Sequence, residues 1–88
     1  QRVNEIETLS LRNATHRVVR YLLTQLMRLQ TIDSQFELPM AKQLIAGHLS
    51  IQPETFSRII RRLIDEKIIT QYGRQIEILD RLRLEQFE

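Results

Sequence analysis

The side chains best suited to chemistry lie in one stretch, residues 53–64. Four of them recur at helical spacing, i, i+3, i+4 and i+7: Glu54, Ser57, Arg58 and Arg61. A carboxylate, a hydroxyl and two guanidiniums are groups that read base edges and bind phosphates. The intervening positions are apolar and predict a buried face: Phe56, Ile59, Ile60, Leu63 and Ile64. The pattern predicts a helix over about 53–66, with one face in a core and the other in the major groove of DNA.

The composition is that of one small globular domain. The chain has 88 residues, 42% of them hydrophobic, with only two glycines and two prolines. It has no cysteine, and its only histidines are His16 and His48, so we expect neither a metal site nor an enzyme. A net charge of +2 permits nucleic-acid binding without requiring it. Since no apolar run approaches the ~20 residues of a membrane span, we expect a cytoplasmic protein without membrane contact.

The rest of the chain predicts helices around a small sheet. Asn13 is expected to cap a helix over 14–28. The spacing of its apolar residues predicts one buried face: Val18, Val19, Leu22, Leu23, Leu26 and Met27. Phe36 and Leu38 alternate with polar residues and predict a short strand that ends at Pro39.

Beyond Pro39 the sequence predicts a helix-turn-helix and a hairpin. A helix over 41–48, burying Leu44, Ile45 and Leu49, leads through a turn to the helix at 53. Strands at 68–71 and 75–79 flank a three-residue connection that offers a glycine for positive φ. Asp80 is expected to cap a last helix over 81–87, in which three apolar residues are partly buried: Leu82, Leu84 and Phe87.

The order helix, strand, helix-turn-helix and hairpin indicates a winged helix-turn-helix, mainly α with a small antiparallel β wing. Residues 38–43 (LPMAKQ) and 53–58 (PETFSR) resemble the DNA-binding domain of Crp/Fnr bacterial transcription regulators. The Glu-Thr-x-Ser-Arg run resembles the Fnr branch, and with the Tyr-Gly-Arg wing at 72–74 it is similar to the nitric-oxide-responsive Dnr subgroup that controls denitrification genes. The resemblance divides the chain into 1–12, the end of a dimerisation helix and hinge, and 13–88, the DNA-binding domain.

The resemblance implies a homodimer bound to a double-stranded DNA palindrome with TTGAT-like half-sites. Arg58 would donate to guanine O6 and N7, Glu54 would accept from cytosine N4, and Ser57 would touch a neighbouring base. On spacing alone, Glu54 and Arg58 could instead form a surface ion pair. Seven further residues are expected to contact phosphates, some by their place in the family and some by position: Thr15, Lys42, Gln52, Thr55, Arg61, Tyr72 and Arg74.

Other expectations concern the intact regulator. The resemblance places a β-roll sensor domain before Gln1, where a haem would bind nitric oxide, and assigns no cofactor to residues 1–88. It also suggests that the loop at 31–35 contacts RNA polymerase. The rival hypothesis is a protein-interaction module whose exposed apolar surface includes Val3 and Ile6, or Ile76 and Ile78.

Three positions depart from the family pattern. Ala41 and Gln52 stand where better helix caps are usual, and Ser50 stands in the turn where glycine is common. We therefore expect two weakly capped helices and, at Ser50, either a strained backbone or a slightly different turn.

Overall fold

The computed structural model describes residues 2–28 and 35–87, with side chains from residue 11 onward. Seven elements follow one another: α1 (Arg2–Arg28), β1 (Gln35–Glu37), α2 (Lys42–His48), α3 (Pro53–Asp65), β2 (Ile69–Tyr72), β3 (Gln75–Ile78) and α4 (Arg81–Glu85). The predicted winged helix-turn-helix is confirmed: α2 and α3 form the helix-turn-helix and β2 and β3 form the wing. The predicted loop at 31–35 lies outside the described residues, apart from Gln35.

The predicted helix start at Asn13 is wrong, because α1 continues through it without a break. Asn13 is exposed in the middle of the helix, between half-buried Leu11 and buried Ala14. The division of the chain at 12/13 into two functional parts stays a prediction.

Among the described side chains, one hydrophobic core joins all four helices and the sheet. Full burial of an aliphatic or aromatic side chain contributes about 1.5–3 kcal/mol, so these residues dominate the stability of the fold. The largest buried apolar side chains are Leu22, Leu38, Ile45, Phe56, Ile59, Leu63, Ile68, Ile69, Ile76 and Leu84. The core anchors the inner face of α3 and thereby fixes the direction of its outer face.

Three apolar residues that were expected to be buried or partly buried are exposed instead. Met27, Leu44 and Leu82 have 66%, 62% and 64% of their surfaces accessible. Each lies on a short helix or near a helix end, where the available cover is narrow. In α2 the buried residues are Ile45 and Ala46, and Leu44 lies outside the face that they form.

The sheet is antiparallel with strand order β1-β3-β2. Phe36 of β1 lies opposite Ile76 of β3, so the hairpin is supported by the earlier strand, as a two-stranded ribbon in water requires. The β2–β3 connection is two residues long rather than three, because Tyr72 already pairs with Gln75. Gly73 has φ +63°, a conformation that glycine adopts without strain.

The C-terminal ends of α2 and α3 share one backbone design, the Schellman motif. After α2, Ser50 N–H donates to the Gly47 carbonyl and Ile51 N–H to the Ala46 carbonyl. After α3, Lys67 N–H donates to the Ile64 carbonyl and Ile68 N–H to the Leu63 carbonyl. Ser50 and Lys67 both have φ +60°, which costs a residue with a Cβ about 1 kcal/mol. The strain expected at Ser50 is therefore present, and Lys67 shares it.

The N-terminal caps also agree with the sequence. Ala41 and Gln52 occupy N-cap positions and make no side-chain cap hydrogen bond. Asp80 does cap α4, with its Oδ1 accepting from Arg83 N–H at 3.1 Å. The helix-turn-helix thus carries the weakly capped helices, while the short α4 has a good cap.

Candidate nucleic-acid interface

Helix α3 divides into a buried and an exposed face. Its buried residues are Phe56, Ile59, Ile60 and Leu63. Its exposed residues include Glu54, Ser57, Arg58 and Arg61, the four singled out by their spacing. Because the apolar stripe is held in the core, the polar set faces away from the protein. A large ligand such as double-stranded DNA can therefore contact this face without any rearrangement of the core.

The exposed face of α3 borders an open surface groove of about 670 Å³. Its lining comes from the first turn of α2 and the first three turns of α3: Lys42, Gln43, Pro53, Glu54, Ser57, Arg58 and Arg61. The structure thus brings the three base-reading candidates together with Lys42 and Arg61. Three cationic side chains and one carboxylate share this groove, which favours a polyanion with polar edges to be read.

Glu54 and Arg58 do not form the surface ion pair that their spacing allows. Within residues 11–28 and 35–87, the one ion pair joins Arg83 Nη2 to Glu66 Oε1 at 3.3 Å. No hydrogen bond of the Arg58 side chain is found within these ranges. Its guanidinium therefore keeps its donors for an incoming ligand.

The start of α3 adds two of the predicted phosphate contacts. Gln52 is exposed at the N-cap, and Thr55 is half-buried in the first turn. The Gln52 carbonyl accepts from Phe56 N–H at 3.0 Å, so the helix is regular from its first turn. The N–H groups that precede Phe56 have no partner earlier in the helix, and they give this end a partial positive charge.

The wing places Tyr72 and Arg74 in different environments. Tyr72 is 89% exposed at the end of β2, and Gln71 Nε2 donates to the Gly73 carbonyl at 3.0 Å beside it. Arg74 is also exposed, but its Nη2 donates to the Leu38 carbonyl at 3.2 Å, and its own carbonyl accepts from Leu38 N–H. Arg74 therefore attaches the wing to the chain that enters α2. Its remaining donors are available for a phosphate.

Thr15 cannot make the predicted phosphate contact in this structure. Its side chain is fully buried, and its hydroxyl donates to the Leu11 carbonyl at 2.8 Å, one helical turn earlier. This prediction is wrong because Thr15 lies inside an unbroken helix, not at the open start of one. It is the one buried polar residue among those described.

Three arginines make structural contacts that had no signal in the sequence. Arg17 of α1 donates to the Leu49 and Ser50 carbonyls in the turn before α3. Arg83 of α4 donates to the Glu66 carbonyl at 2.9 Å, just beyond the other end of α3. Arg62 lies over the Phe87 ring at 5.0 Å in the same region. Each contact joins residues distant in sequence, so spacing along the chain could not reveal it.

Chemistry of other kinds finds little support in the described part of the chain. No group of three or more histidine, aspartate or glutamate side chains there is placed to hold a metal ion. Burial raises the pKa of the Tyr21 hydroxyl, with the nearby charge of Arg28 acting in the opposite direction, but Tyr21 lies on α1, outside the groove. None of the described helices is both long enough and apolar enough to cross a membrane.

These features define a winged helix-turn-helix domain. It combines a helix-turn-helix with a three-stranded sheet, and the second helix of the motif, α3, presents a polar face beside a basic groove. The chain belongs to the Crp-like helix-turn-helix domain family, whose sequence profile matches residues 16–87.

Known relatives agree with this assignment. The crystal structure of DNR from Pseudomonas aeruginosa is similar over the whole chain, with 67% identity and a TM-score of 0.88, and the match covers 39% of that protein chain. FixK2 from Bradyrhizobium japonicum matches 85% of the chain and 38% of its own, at 33% identity and a TM-score of 0.78. The probable transcriptional regulator flp of Lacticaseibacillus casei is 37% identical over 71 residues, 81% of this chain. The predicted Crp/Fnr membership and closeness to Dnr are confirmed.

The chain spans about a third of the length of these relatives. It covers 32% of the Lacticaseibacillus regulator and 39% of the Pseudomonas DNR chain. The residues that match the family profile, 16–87, include the helix-turn-helix and the wing.

Proposed function

We propose that this chain is the DNA-binding domain of a transcription regulator and that α3 enters the major groove. The observation that carries the proposal is the exposed Glu54, Ser57 and Arg58 on one face of α3, with the opposite face anchored in the core. Family membership supports the class of function. The absence of an ion pair between Glu54 and Arg58 within the described residues supports their use in recognition.

Each side chain has a distinct role in this proposal. Arg58 places two donors on guanine O6 and N7, and Glu54 accepts from cytosine N4 while orienting the guanidinium. Ser57 contacts a neighbouring thymine or adenine. Six residues bind phosphates: Lys42, Gln52, Thr55, Arg61, Tyr72 and Arg74. Of these, Lys42 and Arg61 have the strongest support, because they line the same groove as the three base-reading residues.

The proposed target is a palindrome with TTGAT-like half-sites, bound by a homodimer. Two recognition helices of such a dimer reach half-sites about 34 Å apart, one turn of the double helix. We also propose the nitric-oxide response and denitrification role that the resemblance implies, and the cytoplasmic location expected from the sequence; the similarity to DNR supports membership of that subgroup. Any haem would be bound outside these 88 residues.

The test is Arg58→Ala on matched and altered DNA. Binding is measured by fluorescence anisotropy, using a labelled TTGAT palindrome and a duplex in which each half-site guanine is replaced. A lost bidentate contact contributes about 1–3 kcal/mol, so we expect affinity for the matched duplex to fall about 5- to 150-fold. Affinity for the altered duplex should hardly change.

The matched control is Arg81→Ala, which removes an exposed arginine on α4 and should leave both affinities unchanged. Equal losses on both duplexes for Arg58→Ala would refute the base-reading role. Absence of binding to either duplex at low salt would favour the rival protein-interaction module. One surface suggested for that module is already wrong, because Ile76 and Ile78 are only 1% and 4% exposed. The other, at Val3 and Ile6, lies outside the described side chains.

A further inference from the structure

Arg17 makes a long-range contact that the proposed DNA contacts do not use. It lies on the exposed side of α1, and its Nη1 donates to the Leu49 carbonyl at 3.1 Å and the Ser50 carbonyl at 3.4 Å. The acceptors are 32 and 33 residues further along the chain. Arg17 thus connects the first helix directly to the turn between α2 and α3.

That turn is a strained segment whose shape sets the start of α3. Ser50 has φ +60° without being glycine, and its N–H is held by the Gly47 carbonyl at 3.1 Å. The Leu49 and Ser50 carbonyls lie beyond the last turn of α2, where the helix supplies no donor for them. The Arg17 guanidinium supplies that donor and places a positive charge at the negative end of α2.

The turn is also short, so its position passes directly to the recognition residues. Four residues, 49–52, join α2 to α3, and Glu54 is the second residue of α3. Base recognition needs donors and acceptors placed to within a fraction of an ångström. A small shift of the turn therefore moves Glu54 and Arg58 as well, because the turn continues directly into the regular helix α3.

We propose that Arg17 is a positioning residue for base recognition: it holds the α2–α3 turn on α1 and so fixes the placement of Glu54 and Arg58. This rests on the proposed function, since it assigns Arg17 a part in the same recognition. The competing role for an exposed arginine here is a direct phosphate contact, and the two roles differ in salt dependence. A lost phosphate contact makes the negative slope of log K against log salt less steep by about 0.9 and weakens binding to all sequences alike.

The experiment compares Arg17→Ala with Arg20→Ala, a second exposed arginine on the same helix. Affinities for the matched and guanine-replaced duplexes are measured between about 50 and 200 mM salt. We expect Arg17→Ala to reduce the matched-to-altered affinity ratio about 3- to 10-fold, as loss of one or two hydrogen bonds would, with the salt slope unchanged. Arg20→Ala should leave the ratio unchanged. If Arg17→Ala makes the negative slope of log K against log salt less steep by about 0.9 and leaves the matched-to-altered affinity ratio unchanged, the proposal is overturned.

Arg17→Lys keeps the charge and tests the role if Arg17→Ala does not fold. Lysine can serve a phosphate as a point charge, but its side chain is one bond shorter than arginine, so its ammonium falls short of the two carbonyls that Arg17 Nη1 reaches. A reduced affinity ratio for Arg17→Lys supports positioning. A wild-type ratio for it contradicts positioning.

A measurement without DNA separates this inference from the proposed function. The Ile51 amide donates to the Ala46 carbonyl at 2.9 Å within the turn, and its hydrogen exchange reports on turn opening. We expect exchange at Ile51 to be about 3- to 10-fold faster in Arg17→Ala than in Arg20→Ala. Equal exchange in the two variants would show that Arg17 does not hold the α2–α3 turn, even if the protein binds DNA. If exchange is faster in Arg17→Ala but the wild-type protein does not discriminate between the duplexes, Arg17 does hold the turn and the recognition role of α3 is refuted.

Discussion

Arginine side chains serve two separate purposes in this domain. Arg58 and Arg61 present their guanidiniums on the open face of α3. Three others donate to backbone carbonyls at connections between elements: Arg17 to Leu49 and Ser50, Arg74 to Leu38, and Arg83 to Glu66. Part of the basic side-chain set therefore stabilises connections between elements, and the net charge of +2 does not show which cationic side chains face a ligand.

Helical period was enough to predict which α3 residues are exposed. Glu54, Ser57 and Arg58 had to lie outside because the apolar residues between them form a continuous stripe. Period could not predict that Thr15 is buried, since this depends on α1 continuing past Asn13. Nor could it separate Arg17 from other surface arginines, because its partners are carbonyls brought near by the fold.

Tyr21 gives a prediction about stability. Within the described residues its buried hydroxyl has no hydrogen-bond partner, and an unsatisfied buried polar group is destabilising. We expect Tyr21→Phe to fold and to raise the free energy of unfolding by about 1 kcal/mol, measured by urea denaturation at pH 7. A loss of stability would show that this hydroxyl makes a favourable contact.

The same residue should govern part of the alkaline unfolding. Burial raises the pKa of Tyr21 above its ordinary value of 10.0. Above pH 10 the unfolded chain loses this proton more readily than the folded protein does, so the contribution of Tyr21 is complete below pH 10 and falls as pH rises. Tyr21→Phe should flatten the loss of stability above pH 10. The matched control is Tyr72→Phe, at an 89% exposed position, which should leave the loss of stability above pH 10 unchanged.

Among the elements, the order along the chain was predictable because each has its own local signal. Alternation at 36–38, a glycine-containing connection at 73 and the period of α3 all survive in the structure. The errors occur where an element depends on its neighbours for cover. Leu44 fits a buried face of α2, but a seven-residue helix packed on one side covers only Ile45 and Ala46.

The two Schellman motifs give a second stability prediction. Ser50 and Lys67 hold φ +60° with a Cβ, so Ser50→Gly and Lys67→Gly should each raise the free energy of unfolding by about 0.5–1 kcal/mol. Gly73→Ala is the opposite control. At φ +63° it should lower stability by a similar amount, although its Cβ would meet no atom within 4 Å. Urea denaturation of the three variants provides the comparison, and destabilisation by both glycines would contradict the strain.

At the scale of the whole molecule, the wing and the helix-turn-helix are held together at one point. Leu38 N–H donates to the Arg74 carbonyl at 2.8 Å, while Arg74 Nη2 donates back to the Leu38 carbonyl. Leu38 immediately precedes the chain that enters α2, so the wing cannot move far without moving α2. The DNA contacts proposed on the wing and on α3 are therefore expected to form as one rigid unit.

Lys42 should act on all DNA sequences alike. It is exposed at the start of α2 and lines the groove beside α3, where a phosphate contact carries no sequence information. We expect Lys42→Ala to weaken binding to the matched and altered duplexes by the same factor and to make the negative slope of log K against log salt less steep by about 0.9. Anisotropy titrations between about 50 and 200 mM salt measure both, with Arg81→Ala as the control. A loss confined to the matched duplex would mean that Lys42 reads a base.

Because α1 is unbroken, the number of residues in it fixes the angle about the helix axis between its two ends. Its 27 residues span about 40 Å, close to the 46 Å long axis of the molecule. Each added residue turns the far end of a helix by about 100°, so one insertion between Arg2 and Arg12 would swing anything joined there to a different side of the recognition helix. Seven added residues would restore nearly the original bearing. Spacing along this helix is therefore constrained in angle as well as in length.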